Sequence, residues 1–365
     1  MSAGQIALVS LIVGFIVTLV AVTGFAYTTL YERKILARLQ HRVGPNRAGY
    51  IPIPRRGKRE YRLLGGFLQP AADAVKLFFK EDPTPAKADK PVYNLAPMLA
   101  AMTAIMIFAV IPLAPEMTIL GYTFSPYFAV APGLNIGVLF ILAITSVSVY
   151  GVVLAGWASN SKYAVMGGIR ASAQMISYEL AMGLSVIPVI MLADSMDMGV
   201  IVAKQQVPYI ILQPIAAFIF FVAALAELER SPFDLLEAEQ ELSSGFNVEY
   251  GGMRFGMFFM TQYMKMIAFS VIFSVLFLGG FNGPFVDQIP VLGFVYTIGK
   301  TLIVMFVMIW IRATLPRLRY DQLMQFGWKQ LLPISLANMV ITAVFIILIQ
   351  ENIFTPDNLL SIFGF

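Results

Sequence analysis

The sequence of 365 residues contains no cysteine and a single histidine, His41. It therefore offers no thiolate ligands for an iron–sulfur cluster, no disulfide and no Cys/His zinc site. One imidazole also cannot provide both axial ligands of a bis-histidine haem. Any redox cofactor is therefore expected on a partner. Charged residues are scarce as well, at 13% of the chain against 58% hydrophobic residues, which excludes an ordinary cytoplasmic domain and indicates an integral membrane protein.

Eight apolar stretches are long enough to form helices across a bilayer, whose core of about 30 Å requires roughly 20 residues per helix. They are predicted at about 5–29, 95–114, 134–156, 169–192, 208–226, 255–279, 289–311 and 332–350. The first stretch lacks a preceding basic region and a cleavage pattern, which favours a retained helix over a secretion signal. We therefore predict an all-α integral membrane protein that forms a single polytopic domain over residues 1–365.

Basic residues are distributed unequally between the two sides of this predicted bundle. The loops 30–94, 157–168, 227–254 and 312–331, with Arg170 at a helix mouth, hold 22 of the 25 lysine and arginine residues. Because basic loops stay in the cytoplasm, this side is predicted to be cytoplasmic and both termini to lie on the other side.

Residues 66–80 interrupt the pattern of spans and loops. Apolar side chains recur at helical spacing on one face, and polar side chains recur on the other, at Gln69, Asp73, Lys76 and Lys80. Fifteen residues of mixed character are too few to cross a bilayer. The pattern predicts an amphipathic helix at the cytoplasmic interface, with packing against another protein as the alternative.

Three charged residues fall within predicted spans, where each costs about 2.5–3.5 kcal/mol on insertion scales. They are Glu179, Lys265 and Lys300. Such residues usually face the bundle interior and often mark an ion pathway. A static ion pair between Glu179 and one lysine is the alternative, and a structural role is equally open for both lysines.

The loop after the fifth predicted span is acidic on the side where bases should dominate. Over 23 residues Arg230 is the one base, against the acids Glu227, Glu229, Asp234, Glu237, Glu239, Glu241 and Glu249. Such a run is usually a solvated surface, but Phe233 and Phe246 lie among these acids. Closely spaced acids in a partly dry site can become able to exchange protons near neutral pH, which is the alternative interpretation of this loop.

Other functional signatures are missing. No pair of glycines is followed by the lysine of a phosphate-binding loop or preceded by a strand. The basic first loop, with fourteen lysine and arginine residues, is interpreted as a segment that docks on the membrane surface and on partners and not as a site for nucleic acid.

Six segments resemble one family, the H subunit of the proton-pumping NADH:quinone oxidoreductase, respiratory complex I. They are YERK at 31–34, QHRVGPNR at 40–47, QPAADAVKL at 69–77, RASAQMISYEL at 170–180, ERSPFDLLEAEQELSSGFNVEYG at 229–251 and WIRATLPRLRYDQLMQFGW at 310–328. The resemblance implies an eight-span protein in a bacterial plasma membrane, at the joint between the membrane arm and the hydrophilic arm of the complex. Its loops would clasp partners that carry FMN and iron–sulfur clusters, and quinone would enter from the bilayer as the substrate.

The resemblance also implies roles for particular residues. The first span, the amphipathic helix and the sixth span would frame the access route of quinone. The quinone channel would then include Glu32, Arg33, Asp73, Arg230 and Asp234. The proton relay of the family maps onto Glu179, Glu227, Asp234, Glu237, Glu239 and Glu241. The chain itself would carry no redox centre and no metal.

Two features depart from the family pattern. About fourteen extra residues, Ile51 to Leu64, follow the first basic motif, and Gln262 stands where many relatives have a glutamate before the tyrosine.

Two other functions also remain open from the sequence. One is the equivalent component of a membrane-bound hydrogenase, and the other is a self-contained proton or cation transporter, which would leave the basic and acidic loops unexplained.

Overall fold

The computed structural model describes residues 3–48, 52–53, 61–62, 66–119, 122–234, 245–286 and 288–350. Its α-helices are α1 (Ala3–Leu39), α2 (Gln69–Phe79), α3 (Lys90–Met106), α4 (Gly137–Ala158), α5 (Lys162–Ala193), α6 (Met198–Lys204), α7 (Tyr209–Leu212), α8 (Pro214–Glu227), α9 (Gly252–Phe277), α10 (Val291–Thr314), α11 (Tyr320–Gln325) and α12 (Leu332–Gln350). The described residues also form two short antiparallel strand pairs and two 3₁₀ segments, Ile107–Val110 and Gly245–Asn247. The fold is thus all-α, as the hydropathy pattern predicts.

Seven helices among the described residues are long and apolar enough to cross a membrane. They comprise α1, α3, α4, α5, α9, α10 and a last continuous segment in which α11 passes through a π-helical turn, Phe326–Leu331, into α12. Helix α9 is the central helix, because 78% of the residues in its apolar 18-residue stretch are buried inside the structure. The corresponding share for the last segment is 17%. The outer face of that last segment is therefore left for lipid or a partner.

The fifth predicted span is not one long helix. It is divided at Gln213 into the one-turn helix α7 and the 14-residue helix α8, which is about 21 Å long and shorter than a bilayer core. The break lies before Pro214, because a proline disfavours helical geometry in the preceding residue. Helix α12 compensates for it: Gln213 donates to Thr342 Oγ1 at 3.0 Å and accepts from Asn338 Nδ2 at 3.1 Å.

The strands form two hairpins that hydropathy did not predict. Strand β1 (Pro52–Ile53) pairs with β2 (Tyr61–Arg62) within the inserted segment, and β3 (Ala114–Ile119) pairs with β4 (Tyr122–Phe128) between the second and third long helices.

The β3–β4 hairpin is attached to α6 through Tyr127. The Tyr127 hydroxyl donates to Asp197 Oδ1 at 2.6 Å. Burial, aided by that carboxylate, raises the pKa of Tyr127 above its ordinary value. Gly199 packs against the ring of Tyr127, and a Cβ at this position would lie 1.9 Å from the ring atoms. A glycine at this position therefore lets the hairpin approach the start of α6.

The predicted amphipathic helix corresponds to α2, and no side chain of α2 is fully buried. Phe78 and Phe79 are largely exposed. Two contacts join this region to α1: the ring of Phe67 packs on Tyr27 at 4.7 Å, and Asp73 forms an ion pair with Arg33. The apolar face of α2 is therefore not covered by the described part of the chain.

Candidate functional site

A buried cluster of charges lies where α1 and α10 end on the same side of the bundle. Both oxygens of the Glu32 carboxylate on α1 accept a hydrogen bond from Arg230 Nη1, Oε1 at 3.0 Å and Oε2 at 3.2 Å. It also accepts a hydrogen bond from Arg312 Nη1 on α10. Glu32 and Arg230 are each at most 5% exposed. One buried carboxylate thus holds two guanidinium groups from distant parts of the chain.

Arg230 is held in place on a second side by an aromatic ring. Its guanidinium carbon lies 4.4 Å from the ring centre of Tyr263 on α9, within the range of a cation–π interaction. Phe25 and Phe259 pack against the same ring. The cluster therefore connects α1, α9 and α10 to the start of the acidic loop.

A second buried ion pair lies nearby in sequence but involves other helices. Glu227, the last residue of α8, accepts a hydrogen bond from Lys265 Nζ of α9 at 3.0 Å, and their side chains are 1% and 5% exposed. Removing one member of such a buried pair typically costs about 3–5 kcal/mol, because it leaves the other charge unpaired. Lys265 thus has a defined counter-ion.

Glu179 on α5 is not paired with a lysine in the described structure. Its Oε1 accepts hydrogen bonds from the hydroxyls of Thr145 and Ser146 on α4, at 3.0 and 2.6 Å. It also interacts electrostatically with Glu227. The static Glu179–lysine pair considered above is therefore wrong for this structure, and two of the predicted relay carboxylates are neighbours.

Lys300 is hydrogen-bonded to backbone carbonyl groups. Its Nζ donates to the carbonyls of Gly280 and Asn282, each at 2.8 Å. These carbonyls belong to the turn after α9, where Gly279 and Gly280 have positive φ values. The lysine stabilises this turn, which is remote in sequence from the acidic loop.

Buried hydrogen bonds anchor the first part of the acidic loop. Gln174 on α5 donates from Nε2 to the carbonyls of Ala226 and Phe233, at 2.9 and 3.0 Å. The ring of Tyr178 packs against Phe233, and its hydroxyl donates to the carbonyl of Leu323. Gln174 and Tyr178 lie one turn apart on α5, and this polar stripe therefore fixes the position of the loop.

The last part of the loop is anchored on α3. Tyr93 stacks on Tyr250 with ring centres 4.2 Å apart and donates from its hydroxyl to the carbonyl of Glu249 at 2.6 Å. Burial raises the pKa of Tyr250, so it stays protonated. At Gly167 a Cβ would lie 2.7 Å from the Cα of Gly245, so only glycine permits this contact with α5. Glu237, Glu239 and Glu241 lie between these anchors but outside the described residues.

The remaining predicted channel residues lie in two places. Arg33 and Asp73 form a partly exposed ion pair at 2.7 Å between α1 and α2, and Gln69 donates to the same carboxylate. Asp234 is partly buried and directly follows the anchored Phe233. The structure thus brings Glu32 and Arg230 into direct contact and places Arg33 with Asp73 at the side of α1.

An apolar slot runs along α1. Its volume is about 600 Å³, and its walls come from α1, α9, α10 and the base of the β3–β4 hairpin. On α1 it extends from Ile16 to Tyr31, a length of about 22 Å at 1.5 Å per residue. Its last residue on α1, Tyr31, precedes Glu32 in the sequence, while Glu32, Arg230 and Arg312 are not among its lining residues. The slot and the charge cluster therefore lie next to each other along α1.

Sequence reasoning missed several partners of these carboxylates. In the sequence, Arg312 is one of many basic loop residues, Tyr263 is part of a motif, and Gln174 lies on a polar stripe with no evident function. No local pattern distinguishes these residues, because their importance comes from contacts with residues far away in the chain.

Fold and site together define the class of protein: a polytopic helical membrane protein in which buried carboxylates are paired with arginine and lysine. Within the described residues, no cluster of histidine and acidic side chains has the geometry to hold a metal ion.

Comparison with known proteins identifies the family. The NADH dehydrogenase family matches residues 12–343, and the chain belongs to it, which confirms the resemblance of the motifs. It is 48% identical to the H subunit of NADH-quinone oxidoreductase from Syntrophotalea carbinolica, over 92% of this chain and 94% of that protein. It is 46% identical to the protein of the same name from Dehalococcoides mccartyi strain CBDB1, over 95% and 89%. The second of two such H subunits from Geobacter sulfurreducens is 49% identical, over 88% and 92%.

Proposed function

We propose that this chain is the membrane subunit of an NADH:quinone oxidoreductase complex in which quinone reduction drives proton translocation. The observation that carries this proposal is the Glu32–Arg230–Arg312 cluster next to an apolar slot whose last residue on α1, Tyr31, precedes Glu32. An isoprenoid-bearing quinone requires an apolar path for its tail and polar groups for its head. Slot and cluster offer both within one bundle.

The coupling residues follow from the same geometry. Reduction of a quinone takes up two electrons and two protons, which changes the charge beside Glu32 and Arg230. Arg230 follows closely after Glu227, whose carboxylate interacts with Glu179. The relay therefore passes from the quinone site through Glu227 to Glu179, with Asp234, Glu237, Glu239 and Glu241 in the loop that α5 and α3 anchor.

Partners supply the redox centres. FMN and iron–sulfur clusters belong to hydrophilic subunits that dock on the basic first loop and on the acidic loop, whereas this chain binds quinone as a substrate. The complex lies in the bacterial plasma membrane, with the termini of this chain on the non-cytoplasmic side. The amphipathic helix α2 lies at the cytoplasmic interface, where its exposed phenylalanines contact lipid beside the access route of quinone.

An affinity tag on this chain tests the assignment. The solubilised complex should contain flavin and iron, reduce quinone with NADH and acidify reconstituted vesicles. Copurification of a nickel protein would instead indicate a hydrogenase, and purification of the chain alone would indicate a transporter.

A substitution at Glu32 tests the proposed site. Glu32→Gln should abolish most quinone reduction, because Arg230 and Arg312 lose their shared counter-charge, at a cost of about 3–5 kcal/mol. NADH:ferricyanide activity requires only the flavin-bearing partner and should persist; measured on the complex purified through the tag on this chain, it shows that the partner is still assembled. Glu116→Gln, at an exposed carboxylate of the hairpin, is the matched control. Wild-type quinone reduction by the Glu32 variant would contradict the proposed site.

A further inference from the structure

The end of helix α2 and the residues after it pack against the start of α9. At Gly252, which has a φ of +46°, a Cβ would lie 3.1 Å from both the carbonyl oxygen of Lys80 and the Cβ of Asp82. One turn further along α9, a Cβ at Gly256 would lie 3.2 Å from Cδ1 of Leu77. Two glycines therefore allow the end of α2 to approach α9 closely.

An ion pair and an aromatic ring hold this contact together. Arg254 Nε, in the first turn of α9, lies 3.3 Å from Oδ2 of Asp82, and the two side chains are 24% and 29% exposed. The guanidinium carbon of Arg254 also lies 5.1 Å from the ring centre of Tyr93 on α3, within the range of a cation–π interaction. Arg254 therefore contacts both the segment that follows α2 and the first turn of α3.

Tyr93 is also the residue that anchors the last part of the acidic loop. Its hydroxyl donates to the carbonyl of Glu249, and its ring stacks on Tyr250. The hydroxyl of Tyr250 donates in turn to the carbonyl of Tyr93 at 3.3 Å. A single arginine thus joins the end of α2 to the ring that holds the acidic loop. Nearer the start of α2, the Asp73–Arg33 ion pair joins the same helix to α1.

We propose that Arg254 is a positioning residue for quinone access: it fixes the end of α2 against the acidic loop, so that α2 borders the access route at a constant distance. This inference rests on the proposed function, which places α2 beside that route. A quinone with a long isoprenoid tail must pass α2 along much of its length, whereas a short-chain quinone makes fewer contacts there. Loss of Arg254 therefore affects the binding of long-tailed quinones most.

The test uses the complete complex in reconstituted vesicles. Arg254→Met keeps the length of the side chain and removes its charge. The apparent KM for a long-tailed quinone should rise roughly threefold or more, the scale of one partly exposed ion pair, while kcat and the KM for a short-chain quinone stay near wild-type values. Arg254→Lys keeps the charge and should recover much of the wild-type KM. Lys204→Met, at an exposed lysine of α6, is the matched control and should leave both KM values unchanged.

A double-mutant cycle with Asp82 separates this link from a general loss of stability. Asp82→Asn should raise the same KM, and the variant that combines it with Arg254→Met should be no worse than Arg254→Met alone, because both substitutions break one link. Effects that multiply would overturn the proposal, as would a wild-type KM for the long-tailed quinone in Arg254→Met.

Two further outcomes separate the possible roles of Arg254. An equal loss of kcat with both quinones, in a complex that keeps its NADH:ferricyanide activity, would show a general structural role and also overturn the proposal. If Arg254→Met does not assemble, the comparison of KM values for Asp82→Asn decides. A wild-type complex that does not reduce quinone would instead refute the proposed function, whatever Arg254 contacts.

Discussion

Each charged side chain described above within the bundle has a partner that fits its position. Glu32 is bonded to two arginines, Glu227 to Lys265, and the partly buried Glu179 to two hydroxyls. The first two carboxylates are held by cations, whereas the hydrogen bonds to Glu179 in the described structure come from neutral donors. Loss of the Glu179 carboxylate therefore breaks no ion pair, unlike loss of Glu32 or Glu227.

Substitution of Glu179 tests this distinction. Glu179→Gln keeps the shape and an oxygen that can accept from Thr145 and Ser146, so the complex should assemble. Proton pumping and coupled turnover should fall strongly because the titratable group is lost, and Glu179→Asp should retain more activity than Glu179→Gln. Pumping and NADH oxidation are measured together in vesicles.

The matched control for this substitution is Ser146→Ala, which removes one hydrogen bond and keeps the carboxylate. It should pump nearly as well as the wild type. Full pumping by Glu179→Gln would show that the carboxylate is structural and remove it from the relay.

The helices differ in how deeply they are buried and in what they contact. Helix α9 is central and mostly buried, which suits an element that carries Lys265, Tyr263 and Gln262 to three different contacts. Helix α2 is peripheral, and its apolar face is open. The interpretations of lipid contact and protein contact for α2 lead to different outcomes when a charge is placed on that face.

A charge on the apolar face of α2 tests its position at the membrane. Phe78→Asp should weaken the binding of α2 to the bilayer by about 2 kcal/mol or more, which is the free energy gained by burying one phenylalanine side chain. The apparent KM for hydrophobic quinones should rise, while the KM for a short-chain quinone should change less. Lys76→Gln, on the opposite face, serves as the control. Loss of a partner protein from the purified complex would instead show that this face binds protein, and unchanged kinetics in an intact complex would exclude a role in quinone access.

At the scale of the whole molecule, the asymmetry of charge predicts how the bundle is oriented in the membrane. The basic loops, the acidic loop and the end of the slot next to Glu32 fall on one predicted side. The β3–β4 hairpin and α6, which the Tyr127–Asp197 hydrogen bond joins, fall on the other.

Labelling with a membrane-impermeant maleimide tests this orientation, because the natural chain has no cysteine. Glu116→Cys in the hairpin should react in intact cells. Lys162→Cys, at the exposed start of α5, should react only after the membrane is permeabilised, since the positive-inside rule places that end of the helix in the cytoplasm. The reverse pattern of labelling would invert the proposed orientation.

The sequence alone was sufficient for the class of the fold, the approximate positions of the long helices and the amphipathic character of α2. These properties are local: hydropathy and helical spacing depend on residues a few positions apart. Local pattern failed at the fifth span, where Pro214 interrupts a helix that hydropathy alone would continue, and at the β3–β4 hairpin, whose attachment depends on Asp197. Glu179 was also recognisable from sequence, because a charge in an apolar stretch is costly wherever it lies, and Glu227 stood out in an unusually acidic loop. Glu32 was singled out only by the resemblance of its motif to the family.

Only the tertiary structure decided what each carboxylate contacts. Glu32 meets Arg230 across 198 positions and Arg312 across 280, and Lys265 is paired with Glu227, not with Glu179. Sequence cannot rank such pairings, because every arginine and lysine is an equally plausible partner until the helices pack. The slot along α1 arises in the same way. It is a space left between elements, and no residue encodes it by itself.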